Sequence, residues 1–189
     1  MRVIAGSRRH LLLKTVPGMA VRPTQDRTKE TLFNMLNPYL ADCSFLDLFS
    51  GSGAIGIEAM SRGAAVTVFV EQSPDSLTCI RENLTHTKFL EEARILSMDV
   101  RRAVTELSAE GKSYDIIFMD PPYDQNLERQ VLTQLADSPL VSSDTLIVVE
   151  ASLKTDFSYL DKLGMEIIKE KKYKNNQHVF IQTQENEPA

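Results

Sequence analysis

The chain has 189 residues, 42% of them hydrophobic and 25% charged, and a net charge of −5. That length suits one globular domain that buries a core without staples, and the balance is that of an ordinary soluble protein. The longest apolar runs, such as Leu146-Ile147-Val148-Val149, are too short to span a bilayer, and Met1 to Gly6 lacks the apolar core of a secretion signal. Cys43 and Cys79 form neither a CxxC nor a metal-ligand pattern and read as small buried apolar groups. The expectation is a cytoplasmic protein with no metal and no membrane partner.

Charge is spread unevenly. Residues 1–29 hold seven basic side chains (Arg2, Arg8, Arg9, Lys14, Arg22, Arg27, Lys29) against Asp26, a net +6, while the remainder sets 14 Lys or Arg against 25 acids, a net −11. Such asymmetry describes either a basic face that meets phosphate or a solvated basic hairpin. In chain order, residues 1–15 alternate weakly around Gly6-Ser7-Arg8, which predicts a small β-hairpin. A Pro- and Gly-bearing loop, Val16 to Gln25, follows, and Asp26 is placed to cap a helix whose apolar face is Leu32, Phe33, Leu36 and Leu40. The expected organisation is a basic hairpin and loop over 1–25 and a Rossmann-like domain over 26–189, compact as a whole.

From Phe45 the pattern becomes regular. Buried-strand runs at 45–49, 65–70, 93–97, 114–119 and 145–150 alternate with helical stretches at 54–62, 74–87, 100–110 and 127–136. Strands alternating with helices imply βαβ units and a largely parallel sheet covered on both faces. Ser73-Pro74 is a good helix start, with Leu77, Ile80 and Leu84 as its buried stripe. Runs at 165–172 and 177–183, joined at Lys174-Asn175-Asn176, read as an antiparallel edge hairpin, and Gln184 to Ala189 as a polar, frayed end.

The first long strand runs into Asp47-Leu48-Phe49-Ser50-Gly51-Ser52-Gly53-Ala54-Ile55-Gly56, and Glu71 lies 20 residues beyond Gly51 at the end of the second. A glycine loop followed by an acid can hold NAD or another adenosine-bearing ligand, because glycines let backbone approach closely and the acid accepts from ribose hydroxyls. Asp47 separates the readings. A carboxylate just before the loop repels a pyrophosphate but suits the ammonium of a methionine moiety, which favours S-adenosylmethionine. The candidate cofactor residues are Asp47, Ser50, Gly51, Ser52, Gly53, Glu71 and Gln72, with Asp99 and Val100 after the third strand. There Asp99 either accepts from an adenine amine or caps the following helix. A bare structural turn is the alternative for the loop.

The fourth strand ends in Asp120-Pro121-Pro122-Tyr123. Prolines stiffen the backbone, so the Asp120 carboxylate and the Pro121 carbonyl can be held as two acceptors. An exocyclic amine on a base is a poor nucleophile because its lone pair is delocalised; two acceptors on its N–H groups favour a pyramidal nitrogen that attacks a sulfonium methyl in line. The Tyr123 ring offers a stacking surface for a base swung out of its structure. The competing reading is a rigid turn with a surface tyrosine.

At this point the chain resembles a family. Arg22-Pro23-Thr24-Gln25-Asp26-Arg27-Thr28-Lys29-Glu30-Thr31-Leu32-Phe33-Asn34-Met35-Leu36 looks like the RPTxDRxxExLFNxL signature of the bacterial RsmD-type methyltransferases, which form N2-methylguanine in 16S ribosomal RNA. Asp47 to Gly53 with Glu58 to Ala64, Phe69-Val70-Glu71 and Asp120-Pro121-Pro122-Tyr123 match its further motifs. The resemblance implies a seven-stranded Rossmann-like sheet, S-adenosylmethionine as donor and the small ribosomal subunit as partner. Within the signature, Arg22 and Arg27 become candidate RNA contacts alongside Arg8 and Arg9, and Thr24 a residue near the cofactor. Tyr173-Lys174-Asn175-Asn176-Gln177 departs from the Tyr-Gly-Asp/Asn-Thr turn expected there. Adenine or cytosine amino-methyltransferases share the tetrapeptide's chemistry, and an NAD-dependent oxidoreductase shares the loop.

Overall fold

In a computed structural model, residues 1–16, 23–123 and 125–184 are described, with backbone alone for 23–25. The chain divides into two compact units, Met1–Val100 and Arg101–Ala189.

The first unit carries α1 (Pro23–Leu36), β1 (Ser44–Asp47), α2 (Ala54–Ser61), β2 (Val66–Glu71), α3 (Pro74–Thr87) and β3 (Ala93–Ser97). β1 runs parallel to β2, and β2 to β3. Val68, Phe69 and Val70 on β2 are buried, and Phe69 packs in one cluster with Ile57 of α2 and Ile80 and Leu84 of α3. Gly56 is where helix and strand come closest: a Cβ there would lie 2.3 Å from the Phe69 ring, so only glycine fits.

The second unit carries α4 (Val100–Ser108) from its second residue on, β4 (Ile116–Met119), α5 (Leu127–Ala136), β5 (Leu146–Ser152), β6 (Met165–Lys172) and β7 (Asn176–Thr183). β4 is parallel to β5, while β7 is antiparallel to both β5 and β6. Seven strands form one mixed sheet in the order β3-β2-β1-β4-β5-β7-β6.

Two expectations are corrected. α1 begins at Pro23, so Asp26 falls in its first turn instead of at the cap, where it pairs with Arg2 (Nε–Oδ2 3.4 Å). The N-terminal segment folds back on itself without regular strands: its arms meet at one antiparallel bridge, Arg2 to Leu12. Val3, His10 and Leu13 donate across its two arms, to the carbonyls of Leu11, Val3 and Met1 at 2.9 Å each, and other donors reach further along the chain. Ile4 and Ala5 donate to the two oxygens of Glu58 (2.8 and 3.0 Å), and Ser7 to the Ser61 carbonyl (2.7 Å).

Glu58, on α2, is 0% exposed. Besides those two N–H groups it accepts from Lys29 Nζ (3.1 Å) and Arg62 Nε (2.8 Å). Lys29 also donates to the Arg2 carbonyl at 2.7 Å, and Arg62 lies over the Phe33 ring. Burial pushes the Lys29 amine below its ordinary range, against the pull of Glu58. Removing one member of a buried, fully bonded charge cluster strands the others. Glu58→Ala is expected to destabilise the protein by about 3–5 kcal/mol, read as a lower urea midpoint; an unchanged midpoint would show that the cluster does not hold the N-terminal segment.

Candidate functional site

In the first unit the predicted cofactor residues collect at the carboxyl ends of three neighbouring strands. Asp47 ends β1, Glu71 ends β2, and Asp99 lies two residues past β3; the register sets Asp47 opposite Phe69 and Glu71 opposite Ser97. Open parallel sheets bind ligands beyond this end. Gly51 and Gly53 have φ of +52° and +78°, a left-handed conformation that favours glycine. A Cβ on Gly51 would meet nothing within 4 Å, so the loop leaves room for a ligand against its backbone.

Ser50 ties the loop to both strands. Its hydroxyl donates to the Asp47 carbonyl (2.9 Å) and accepts from the Val70 N–H (3.0 Å), while its own N–H donates to the Val70 carbonyl (3.0 Å). Glu71 accepts from the N–H groups of Gly51, Gln72 and Ser73 at 2.8–2.9 Å. A carboxylate has about four acceptor positions, which leaves it capacity for a hydroxyl. The sequence reading missed Asn83. This buried side chain donates to the Ser52 carbonyl (2.9 Å) and the Lys14 carbonyl (3.0 Å), and accepts from the Lys14 N–H (2.8 Å). An asparagine on the same helical stripe as Ile80 and Leu84 was the available signal.

Asp47 is 1% exposed. One oxygen accepts from the Gly56 N–H at 3.3 Å; the other is buried without a hydrogen-bond partner. Burial, with the Glu71 charge adding to it, outweighs the backbone N–H groups of Gly56 and Phe49 and raises its pKa to about 7. A buried acceptor short of a donor is suited to receive a cationic or N–H-bearing ligand group.

Of the basic candidates, Arg9 and Arg27 are exposed. Arg8 is half-buried, donating from Nε to the Thr87 carbonyl (2.7 Å) with its guanidinium 4.8 Å from the Phe89 ring centre. Arg22 lies outside the described residues, and so does the Thr24 side chain.

In the second unit β4 delivers the tetrapeptide. Pro121 is buried, whereas Asp120, Pro122 and Tyr123 are exposed, Tyr123 at 41%. The Tyr123 hydroxyl donates to Glu150 Oε1 at 3.2 Å, and burial together with the Glu150 and Asp120 charges pushes its pKa up. Val149 stands opposite Met119, so Glu150 is one residue further along β5, level with Asp120.

The strand order and the acids ending β1 and β2 define a Rossmann-like fold shared with methyltransferases. The solved structure of the Escherichia coli protein yhhF superposes at TM-score 0.81, with 31% identity over 97% of this chain and 98% of that one. That of the Thermus thermophilus protein TTHA0928 superposes at 0.80, with 28% identity over 95% and 98%. A family model described as "Conserved hypothetical protein 95" matches residues 1–182, and the chain belongs to that family, the RsmD-type proteins. A relative from Escherichia coli (strain K12), "Ribosomal RNA small subunit methyltransferase D", is 34% identical over 154 residues, 82% of this chain and 76% of that protein.

The Asp47 carboxyl has a consequence for stability. Between the ordinary value of 3.8 and about 7, the folded protein keeps a proton that the unfolded chain has released. Stability therefore falls as pH rises through that window. Urea unfolding from pH 4 to 7 is expected to show wild type losing stability relative to Asp47→Asn; parallel pH profiles would place Asp47 in a better-solvated setting.

Proposed function

We propose that this chain transfers a methyl group from S-adenosylmethionine to the exocyclic N2 amine of a guanine in small-subunit ribosomal RNA. Its family membership and the names of its relatives support ribosomal RNA methylation; the observation that carries the chemistry is Asp120-Pro121-Pro122-Tyr123 placed at the carboxyl end of β4 with Pro121 buried and Tyr123 exposed.

Asp47, Ser50, Gly51, Ser52, Gly53, Glu71, Gln72, Asp99 and Val100 are the proposed cofactor residues, with Thr24 near them. The orphaned Asp47 oxygen and the open space at Gly51 fit such a group. Asp47 receives the ammonium and Glu71 a ribose hydroxyl. When bound, the cofactor supplies a methyl on a positively charged sulfur. The Asp120 carboxylate and the Pro121 carbonyl accept from the two N–H groups of the base, localising the nitrogen lone pair, while Pro122 limits backbone movement. Tyr123 stacks on the base, worth about 1–3 kcal/mol. Exposed Arg9 and Arg27 are the foremost phosphate contacts, with Arg8 and Arg22 completing the proposed set.

Asp120→Asn is expected to slow methyl transfer by roughly 10²-fold or more, the scale of losing one positioned polar group at a reacting centre, with cofactor affinity unchanged. Glu71→Ala is expected to do the reverse, weakening cofactor binding by about 1–3 kcal/mol in calorimetric titration. Equal cofactor affinities in wild type and Glu71→Ala would remove Glu71 from the site, and full activity in Asp120→Asn would remove the tetrapeptide from the chemistry.

A further inference from the structure

The second unit holds a line of polar side chains that methyl transfer as described does not use. Glu150 Oε1, which accepts the Tyr123 hydroxyl, also accepts from Asn176 Nδ2. Glu150 Oε2 meets His178 Nε2 at 3.0 Å, and His178 Nδ1 shares a 3.1 Å hydrogen bond with the Tyr173 hydroxyl. Glu150 and His178 are direct partners in the β5–β7 register, and Asn176 begins β7. His178 is 1% exposed and packs edge-on against Phe118 and Tyr173, with centroids 6.4 and 5.1 Å away. The imidazole is therefore wedged by two rings and bonded at both nitrogens.

We infer that Glu150, braced by His178 and Asn176, is a positioning residue that holds the Tyr123 ring ready for a base, which makes the β6–β7 turn part of substrate recognition. The inference rests on the reading of Tyr123 as the stacking ring. A tyrosine at an exposed loop would otherwise rotate freely and lose that freedom on binding. Here the hydroxyl is anchored while the ring remains open. The anchor is itself held at both oxygens, by Asn176 and Tyr123 at Oε1 and His178 at Oε2; burial pushes the Glu150 carboxyl up, but these bonds and the His178 charge outweigh it and the net direction is down. The turn closes through Tyr173 N–H to the Asn176 carbonyl at 2.8 Å, and its ends, Tyr173 and Asn176, are the residues that reach the cluster. Tyr173-Lys174-Asn175-Asn176-Gln177, where the chain departs from the family pattern, is thus joined to the tetrapeptide through one carboxylate.

A double-mutant cycle tests this. Tyr123→Phe, Glu150→Gln and the pair are compared for methyl transfer, with urea midpoints measured alongside. Each single variant is expected to raise KM for the RNA roughly three- to tenfold, the scale of leaving one side chain unfrozen before binding, with the loss in KM rather than kcat. The pair is expected to be no worse than the poorer single. Additive losses, or a Glu150→Gln variant that loses stability without moving KM, would overturn the inference. If Glu150→Gln does not fold, Asn176→Ala takes its place in the cycle, with the same expected and overturning results. Tyr123→Ala separates the two readings: wild-type KM in that variant would remove the stacking role itself, while a large rise with additive single effects would remove only the role of Glu150.

Discussion

A carboxylate with no exposure at all can exist only where its charge is fully met, and Glu58 organises the first unit on that condition. Four donors converge on it: two backbone N–H groups from the N-terminal segment, one amine from α1 and one guanidinium from the residue just past its own helix. Such a cluster adds little over an apolar packing of similar volume, but breaking it is costly. It therefore fixes where α2 lies relative to α1 and the first residues. α2 begins where the glycine loop ends, so the anchoring of the helix also sets the loop. The missing side chain of Gly56 lets that helix sit against Phe69, and its N–H reaches back to Asp47.

Two other carboxylates, one in each unit, show how environment divides a single chemistry. Asp47 is buried with one oxygen unbonded, and its pKa rises to about 7. Glu150 is also largely shielded from water, yet three donors hold it in the charged form. The neighbours decide between them, since desolvation opposes the charge on both: Asp47 faces the Glu71 carboxylate, whereas Glu150 faces His178 and two further donors. An acid left short of partners is suited to a ligand that brings them. One already saturated is suited to hold its neighbours still.

The regular part of this architecture was legible because period and length speak for themselves: the strand and helix runs from Phe45 onward match the observed elements to within a few residues at their ends. The acids ending β1 and β2 could be read from position alone. What escaped depended on partners far along the chain. The N-terminal arms bond to each other in part, but nothing local reveals that Ile4 and Ala5 donate to a residue more than 50 positions away. Counting +6 on residues 1–29 overstated the charge available to RNA, since Lys29 is buried against Glu58, Arg2 pairs with Asp26, and Arg8 reaches a carbonyl and a ring. His178 carries no local sign of its partner in the sequence. It was Glu150, an acid closing an apolar run, that could have marked the place, because β7 brings the histidine directly opposite it.

Methylation of a guanine amine in the small subunit is tested most directly by incubating the protein with labelled S-adenosylmethionine and, in parallel, small subunits, large subunits, free ribosomal RNA and DNA. The labelled product is then digested to nucleosides. The expected result is label in N2-methylguanosine from small-subunit RNA. Label in an adenine or cytosine amine, in DNA or in large subunits, or transfer to none of the four, would contradict it.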